Sequence, residues 1–418
     1  MILQTKEKTE KFIQDNLVID NDAKNKYGEV FTPLVLINEL LDKLEEENKE
    51  IFSNPQTKWL DPANGIGNFP MMVFHRLMKG LENVILDTDE RQSHIIQNML
   101  YMVELQEKNV NISKNIFGDK ANIICGNFLI DDCFNGVNFD VIIGNPPFQK
   151  PNKTEGRSSL WDKFIIRSMD KLKDDGYLCF ITPSSWRKPA HKLYNDMTQK
   201  SQLVYLHIYG VKECKKIFNV NSRVDLYILH KKQKYKDTIV VDEKDIMSKL
   251  NLSNWHFIPN FGLDVFSPIM TTKDNGIKII FSKLHFQVNT KSQQNGVVSK
   301  VKTPDHNFPI RHSHTRKNGE IIFWCNADDI KNKKLLGVPK VILIRGNYTY
   351  PLNDFEGKYA LSNYSFGIPI STKEEGDAIV KAVNSDKFDI LLKATKWSMG
   401  FTHHNMFKYI VEDFYKYF

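Results

Sequence analysis

Asn145-Pro146-Pro147-Phe148 follows directly on the apolar run Phe139-Asp140-Val141-Ile142-Ile143-Gly144, which reads as a buried strand. The strand therefore ends in a rigid corner that is first polar and then aromatic. Two prolines remove two backbone donors and fix the chain direction. Asn145 and the Pro146 carbonyl remain as acceptors that could face one space, with the Phe148 ring beside them. Such a set suits a planar group that carries an exocyclic amine. An ordinary Asn-Pro turn uses the same residues, so the neighbouring segments must decide between the two readings.

Three other strand ends carry polar groups of the right type. Trp59-Leu60-Asp61-Pro62 runs into Ala63-Asn64-Gly65-Ile66-Gly67-Asn68, where Gly65 and Gly67 let backbone approach a ligand closely. Pro70 stands where the third glycine of a dinucleotide fingerprint would be, which disfavours a pyrophosphate ligand. Leu100-Tyr101-Met102-Val103 ends in Glu104, a carboxylate able to take both hydroxyls of a ribose. Cys125-Gly126 is followed by Asn127 and Phe128, an acceptor for an adenine amino group and a ring to pack on it.

The elements that must hold these residues alternate. Strands are expected over 58–60, 100–105, 122–125, 139–143, 177–182, 203–208 and 223–230. Helices are expected over 69–81, 106–116, 160–172 and 185–200, with an extra helical stretch within 82–99. Thr32 and Pro33 look like the N-cap and first position of a helix whose stripe is Leu34, Ile37, Leu41 and Leu44. Strands alternating with helices imply an α/β fold built on a mainly parallel, Rossmann-like sheet. No long helix separates the last two strands, so one of that pair must run antiparallel.

The lysine-rich stretch 230–237 is the expected domain boundary, giving domains 1–235 and 236–418. Beyond it the alternation stops, and short runs such as 321–324 and 341–345 suggest an irregular α+β domain. From residue 231 onward 28 Lys and Arg face 19 Asp and Glu, a net of +9 in a chain of +7, so a polyanion is expected to meet the back half. Five scattered cysteines without a Cys-x-x-Cys pair fit a reducing cytoplasm and no disulfide framework. The polar start of the chain is not a secretory signal, and no apolar run reaches membrane-spanning length, so no membrane partner is expected. His312 and His314 lack a nearby cysteine or acidic cluster, so no metal is expected there.

The order Phe31-Thr32, Asp61 to Gly67, Glu104, Asn127-Phe128, Asn145-Pro146-Pro147-Phe148 resembles the N6-adenine DNA methyltransferases of the TaqI-like group. The resemblance covers about residues 25–232. It implies a seven-stranded sheet with one antiparallel strand, and S-adenosylmethionine as cofactor. Phe31, Thr32, Asp61, Gly65 and Gly67 would hold its methionine part, Glu104 its ribose, and Asn127 with Phe128 its adenine. The family usually has Asp where Asn127 stands. Asn145 and Pro146 would accept the two hydrogens of the target amine of a flipped-out adenine, with Pro147 fixing the corner and Phe148 stacking on the base. Phe218, in Ile217-Phe218-Asn219-Val220, matches a second stacking position.

Double-stranded DNA is the implied partner. Lys150 and Arg157, in a basic loop after the corner, and Arg311 and Arg316, in a basic turn of the back half, are the expected contacts to it. A separately encoded restriction endonuclease is a further possible partner. A nuclease fused in front is not expected, since 26 residues precede Tyr27. The rivals are an RNA or protein-glutamine methyltransferase, a cytosine-N4 enzyme, and a non-catalytic specificity subunit.

Overall fold

The computed structural model describes residues 11, 32–149, 159–233, 235–281, 287–315, 317, 319–330, 336–346, 349–397 and 403–418. The chain divides into two compact units, one ending at Ser253 and the other holding Asn254–Phe418 together with Arg187–Ala190.

The first unit opens with α1 (Leu34–Glu47), whose buried stripe is Leu36, Ile37, Leu40, Leu41 and Leu44. Each of these contributes about 1.5–3 kcal/mol relative to exposure. Pro33, not Thr32, caps α1, and no side chain caps it. The expected N-cap role of Thr32 is corrected: the chain enters the helix one residue later, and the hydroxyl is spent elsewhere. There follow β1 (Trp59–Asp61), α2 (Asn68–Gly80), α3 (Thr88–His94), β2 (Leu100–Glu104), α4 (Glu107–Phe117), β3 (Asn122–Cys125), β4 (Phe139–Gly144), α5 (Trp161–Lys171), β5 (Leu172–Pro183), β6 (Gln202–Tyr209), α6 (Val211–Ile217), β7 (Val224–His230), β8 (Thr238–Val241) and β9 (Met247–Leu250).

All nine strands form one sheet in the order β3-β2-β1-β4-β5-β7-β6-β8-β9. Strands β1 to β5 are mutually parallel. The strand β7 runs antiparallel to both β5 and β6, as the missing crossover requires. The strands β4 and β7 are almost wholly buried, as expected for a sheet covered on both faces. Seven strands were expected, and among the described residues the sheet holds nine, because β8 pairs parallel with β6 and β9 closes on β8. That pairing also moves the boundary from 235/236 to Ser253.

The expected helix over 185–200 does not form. A 3-10 turn covers Ser184–Arg187 and a π turn Asp196–Lys200. Pro189 disfavours a helical Lys188 and removes a donor, and Ala190 sits at φ 60°. Arg187 is fully buried in the second unit, where Nη1 donates to the Ile258 and Pro259 carbonyls at 2.8 and 3.0 Å and Nη2 to Asn260 Oδ1 at 2.8 Å.

The second unit is the irregular α+β domain expected. Its elements are α7 (Leu263–Phe266), β10 (Ile280–Phe281), α8 (Thr290–Gln294), β11 (Phe308–Thr315), β12 (Gly319–Cys325), β13 (Lys340–Ile344), β14 (Leu352–Asp354), β15 (Ala360–Leu361), β16 (Ser365–Pro369), α9 (Lys373–Val383) and α10 (Asp386–Ala394). The strands form two small sheets, β10-β16-β13-β14 and β12-β11-β15. A buried ion pair, Lys340 Nζ to Asp354 Oδ2 at 2.7 Å, joins β13 to β14.

A polar brace holds α1 to β6. Glu39 accepts from Tyr205 and Tyr209 hydroxyls at 3.0 and 2.7 Å and meets His207 Nδ1 at 2.6 Å. Burial alone would raise the Glu39 carboxyl. The bonds from His207 and Tyr209 and the His207 charge outweigh it and hold it below 4.5. A depressed folded value contributes stability that is full above the unfolded value and fades as pH falls through the folded one. Glu39→Gln should therefore cost about 1–2 kcal/mol at pH 7 and little at pH 3, as read by urea unfolding at both pH values.

Candidate active site

Because β1, β2, β3 and β4 are parallel and in register, their carboxyl ends share one edge of the sheet. Asp61 lies opposite Met102, and Glu104 opposite Cys125. The strand order turns back at β1 and β4, the place where ligands enter such sheets. Neighbouring strands lie about 4.8 Å apart, so the corner after β4 stands one strand spacing from Asp61. Gly144 makes this approach possible, since a Cβ there would lie 2.8 Å from Asp61 Oδ1.

Asp61 is buried. Its Oδ1 accepts from Ala63 N at 3.0 Å, and its Oδ2 has no hydrogen-bond partner among the described residues. Burial pushes its carboxyl up to about 8; the Ala63 bond opposes this and the Glu104 charge adds to it. The following loop is pinned from both sides. Asn64 N donates to Val103 O at 3.0 Å, Asn64 Nδ2 to Ser113 Oγ at 2.8 Å, and Gly65 N to Glu104 Oε2 at 2.8 Å. Gly67 takes φ 101° and leads into α2; a side chain there would be strained and would crowd the Phe117 ring at 3.0 Å.

Asn64 Oδ1 and Asn68 Oδ1 are also buried without a partner among the described residues. Three buried acceptors around one glycine loop are a costly arrangement unless a donor-rich or cationic ligand meets them. Asn64 and Asn68 were not singled out from the sequence. The signal was there in the pair of asparagines flanking the glycines.

Glu104 is buried at the end of β2, and its Oε1 accepts from Gln106 N at 2.8 Å. With Gly65 N on the other oxygen, the carboxylate ties the loop to the strand, and a carboxylate's remaining lone pairs can take hydroxyls. Asn127 closes its own turn, with Oδ1 accepting from Leu129 N at 3.0 Å. The acceptor that the sequence suggested for an adenine amine is thus engaged locally, as short polar side chains in turns commonly are. Phe128 is buried and stacks on Phe164 with ring centroids 5.7 Å apart.

At the corner, Asn145 Nδ2 donates to Thr32 Oγ1 at 3.0 Å, which turns Oδ1 to the opposite side. Pro146 is buried, Pro147 half-buried, and Phe148 rests half-buried on the core of the unit. Phe148 O accepts from Leu160 N at 3.2 Å, and Gln149 bridges Ser159, so the ends of the basic loop meet. Thr32, Asp61, Gly65, Gly67, Glu104 and the corner are thereby brought to one edge.

Other expectations fare differently. Phe31, Lys150, Arg157 and Arg316 lie outside the described residues. Phe218 is 3% exposed and packed in the core, so in this state it presents no face to a base. Arg311 is corrected outright. It is 4% exposed, with Nε on Glu320 at 2.7 Å and its Nη atoms on the Ile342 and Tyr350 carbonyls at 2.9 and 2.7 Å. It pins the small sheets of the second unit and has no surface to offer a base; the turn it seemed to head is the strand β11. Among the described residues no group of three His, Cys, Asp or Glu could hold a metal ion.

Residues 81–218 match the model of the Eco57I restriction-modification methylase family. Residues 81–218 are therefore similar to a methylase domain of the restriction-modification type. The chain is 25% identical, over 260 aligned residues, to an uncharacterized adenine-specific methylase of Mycoplasma pneumoniae, covering 44% of this chain and 60% of that one. It is 33% identical over 195 residues to the type II restriction enzyme and methyltransferase RM.BcgI of Heyndrickxia coagulans, covering 45% and 28%. The chain thus spans 60% or less of the length of both curated relatives. Its fold is similar to that of a nuclease-deletion mutant of the Type ISP enzyme LlaGI in complex with a DNA substrate mimic, with TM-score 0.53, 11% identity, and coverage of 92% and 46%. The expected α/β methylase fold is borne out, and the similarity to restriction-modification methylases agrees with the motif order.

Two outcomes follow from the methylase geometry. A folded value of about 8 against an ordinary 3.8 means that Asp61 costs the ligand-free fold stability as pH rises from about 4 toward 8. Asp61→Asn should flatten that decline and raise the melting temperature at pH 8, read by thermal unfolding without ligand. Arg311→Ala removes the guanidinium that donates to the buried Ile342 carbonyl, the part-buried Tyr350 carbonyl and Glu320, and should cost about 2–4 kcal/mol. Limited proteolysis should show the second unit cut faster than in the parent.

Proposed function

We propose that the chain is a site-specific DNA adenine N6-methyltransferase using S-adenosylmethionine. The first unit would do the chemistry, and the basic second unit would recognise the target duplex. The observation that carries this reading is the Asn145 corner held one strand away from a buried, acceptor-lined glycine loop. The acceptors suit the cofactor well. Asp61 Oδ2, Asn64 Oδ1 and Asn68 Oδ1 would meet its ammonium and positive sulfur, and Glu104 its ribose hydroxyls. When bound, the cofactor supplies an electrophilic methyl group on a sulfur that is a good leaving group.

What remains for the protein is orientation of a poor nucleophile, an effect worth several kcal/mol in such reactions. Asn145 Oδ1 and the Pro146 carbonyl accept the two amine hydrogens. This draws the nitrogen out of conjugation and aims its lone pair at the methyl. Neutral acceptors suffice, because the methylated nitrogen releases its proton to solvent water during or after transfer. An adenine inside a duplex is out of reach, so the base is flipped out at a cost of a few kcal/mol. Phe148 then stacks on it. Lys150 and Arg157 would meet phosphates, and Arg316 is the remaining candidate contact of the back half. Such an enzyme would protect DNA from a separately encoded endonuclease, or act alone.

The test uses labelled S-adenosylmethionine with genomic DNA, RNA and protein as competing acceptors, followed by nucleoside analysis. Label in N6-methyldeoxyadenosine is expected. Label in cytosine, RNA or protein, or no transfer at all, sinks the reading. Asn145→Ala should bind cofactor within about threefold of the parent and transfer methyl roughly 10²–10³-fold more slowly, the usual effect of losing one aligned polar group. Unchanged turnover would remove Asn145 from its role.

A further inference from the structure

The hydrogen bond between Asn145 and Thr32 spans 113 positions of the chain and involves a hydroxyl with no task in its own helix. Thr32 is 4% exposed. Its carbonyl accepts from Asn68 Nδ2 at 3.3 Å, which places it beside the first residue of α2. Thr32 therefore stands between the glycine loop and the catalytic corner and touches both.

An amide side chain has two nearly equivalent ends. Only one orientation of Asn145 works on an amine. With Oδ1 forward it accepts a hydrogen; with Nδ2 forward two donors meet. A threonine hydroxyl by itself does not choose, since it can donate to Oδ1 or accept from Nδ2. It chooses once its own proton is committed elsewhere. The thirteen-residue helix α2 points its N-terminus at this place, where backbone dipoles favour a carboxylate. An amino-acid ligand with its ammonium on Asp61, Asn64 and Asn68 would bring its carboxylate there.

We propose that Thr32 is a positioning residue that makes the orientation of Asn145 conditional on the cofactor. With its proton given to the cofactor carboxylate, Oγ1 can only accept, so Nδ2 must face it and Oδ1 must face the target amine. This rests on the methyltransferase reading for its substrate. The contact itself is independent of that reading.

The experiment compares Thr32→Val, which removes the hydroxyl at constant shape, with Thr32→Ser, which keeps it. Side-chain amide NMR of the 15N-labelled full chain, with Asn145 assigned by its absence in Asn145→Ala, is recorded with and without S-adenosylhomocysteine. The parent and the Ser variant should show an Asn145 amide that shifts and sharpens on ligand binding; the Val variant should not. Val should weaken ligand binding no more than about 10-fold, the scale of one hydrogen bond. It should slow single-turnover transfer by about 100-fold, the scale of a misplaced group. Ser should restore both. The proposal is overturned if the Val amide responds like the parent, if binding and transfer fall in parallel, or if Ser fails to rescue. If the parent transfers no methyl to adenine, the functional reading falls, and the amide spectra still decide the role of Thr32.

Discussion

Asp61 holds a carboxyl group out of water at the end of β1, with one oxygen on Ala63 and the other without a partner among the described residues. Burying such a group is costly, and the rest of the site is arranged around it. Gly144 has no side chain because Asp61 Oδ1 lies where a Cβ would press. Glu104 draws Gly65 over the top, and its charge helps keep the Asp61 carboxyl protonated. A cationic ligand would relieve this strain, so under the proposed function the cost to the fold becomes a source of affinity.

The edge where this occurs is rigid for reasons that lie deeper. Parallel strands with both faces covered fix the relative height of four strand ends to within the pleat. The helix α1 is then held to β6 by the Glu39 brace, while its five buried apolar side chains join the core of the unit. Two residues before that helix, next to its cap Pro33, stands Thr32. A helix docked by its own core thus delivers a single hydroxyl to the corner after β4. Packing energy in one part of the unit is converted into the placement of one atom in another.

Much of this was readable in the residues. Apolar runs of strand length, Gly and Pro at the turns, and polar residues at strand ends marked β1 to β7 and the edge they share. The misplacements have identifiable causes. The helix expected over 185–200 was read through Pro189, and Arg187 turned out to satisfy carbonyls of 258 and 259 in the second unit. Arg311 looked like a surface cation because charge is normally exposed. Its acceptors, the carbonyls of Ile342 and Tyr350, lie 31 and 39 residues away. The Asn127 side chain, expected to face a ligand, also closes its own turn by accepting from Leu129 N two residues on.

By itself the sequence determined what depends on near neighbours: the alternation of strand and helix, the antiparallel β7, the glycine loop and the rigid corner. It also pointed to the methylases of restriction-modification systems, because an ordered set of weak motifs is specific when taken together. Only the tertiary structure decided which polar groups meet. Thr32 was placed as a cap by its neighbour Pro33, yet its hydroxyl belongs to Asn145, brought to it by the sheet and by α1. Such pairings carry no local signature, since a hydroxyl or guanidinium bonds whatever the packing of distant apolar faces brings within 3 Å.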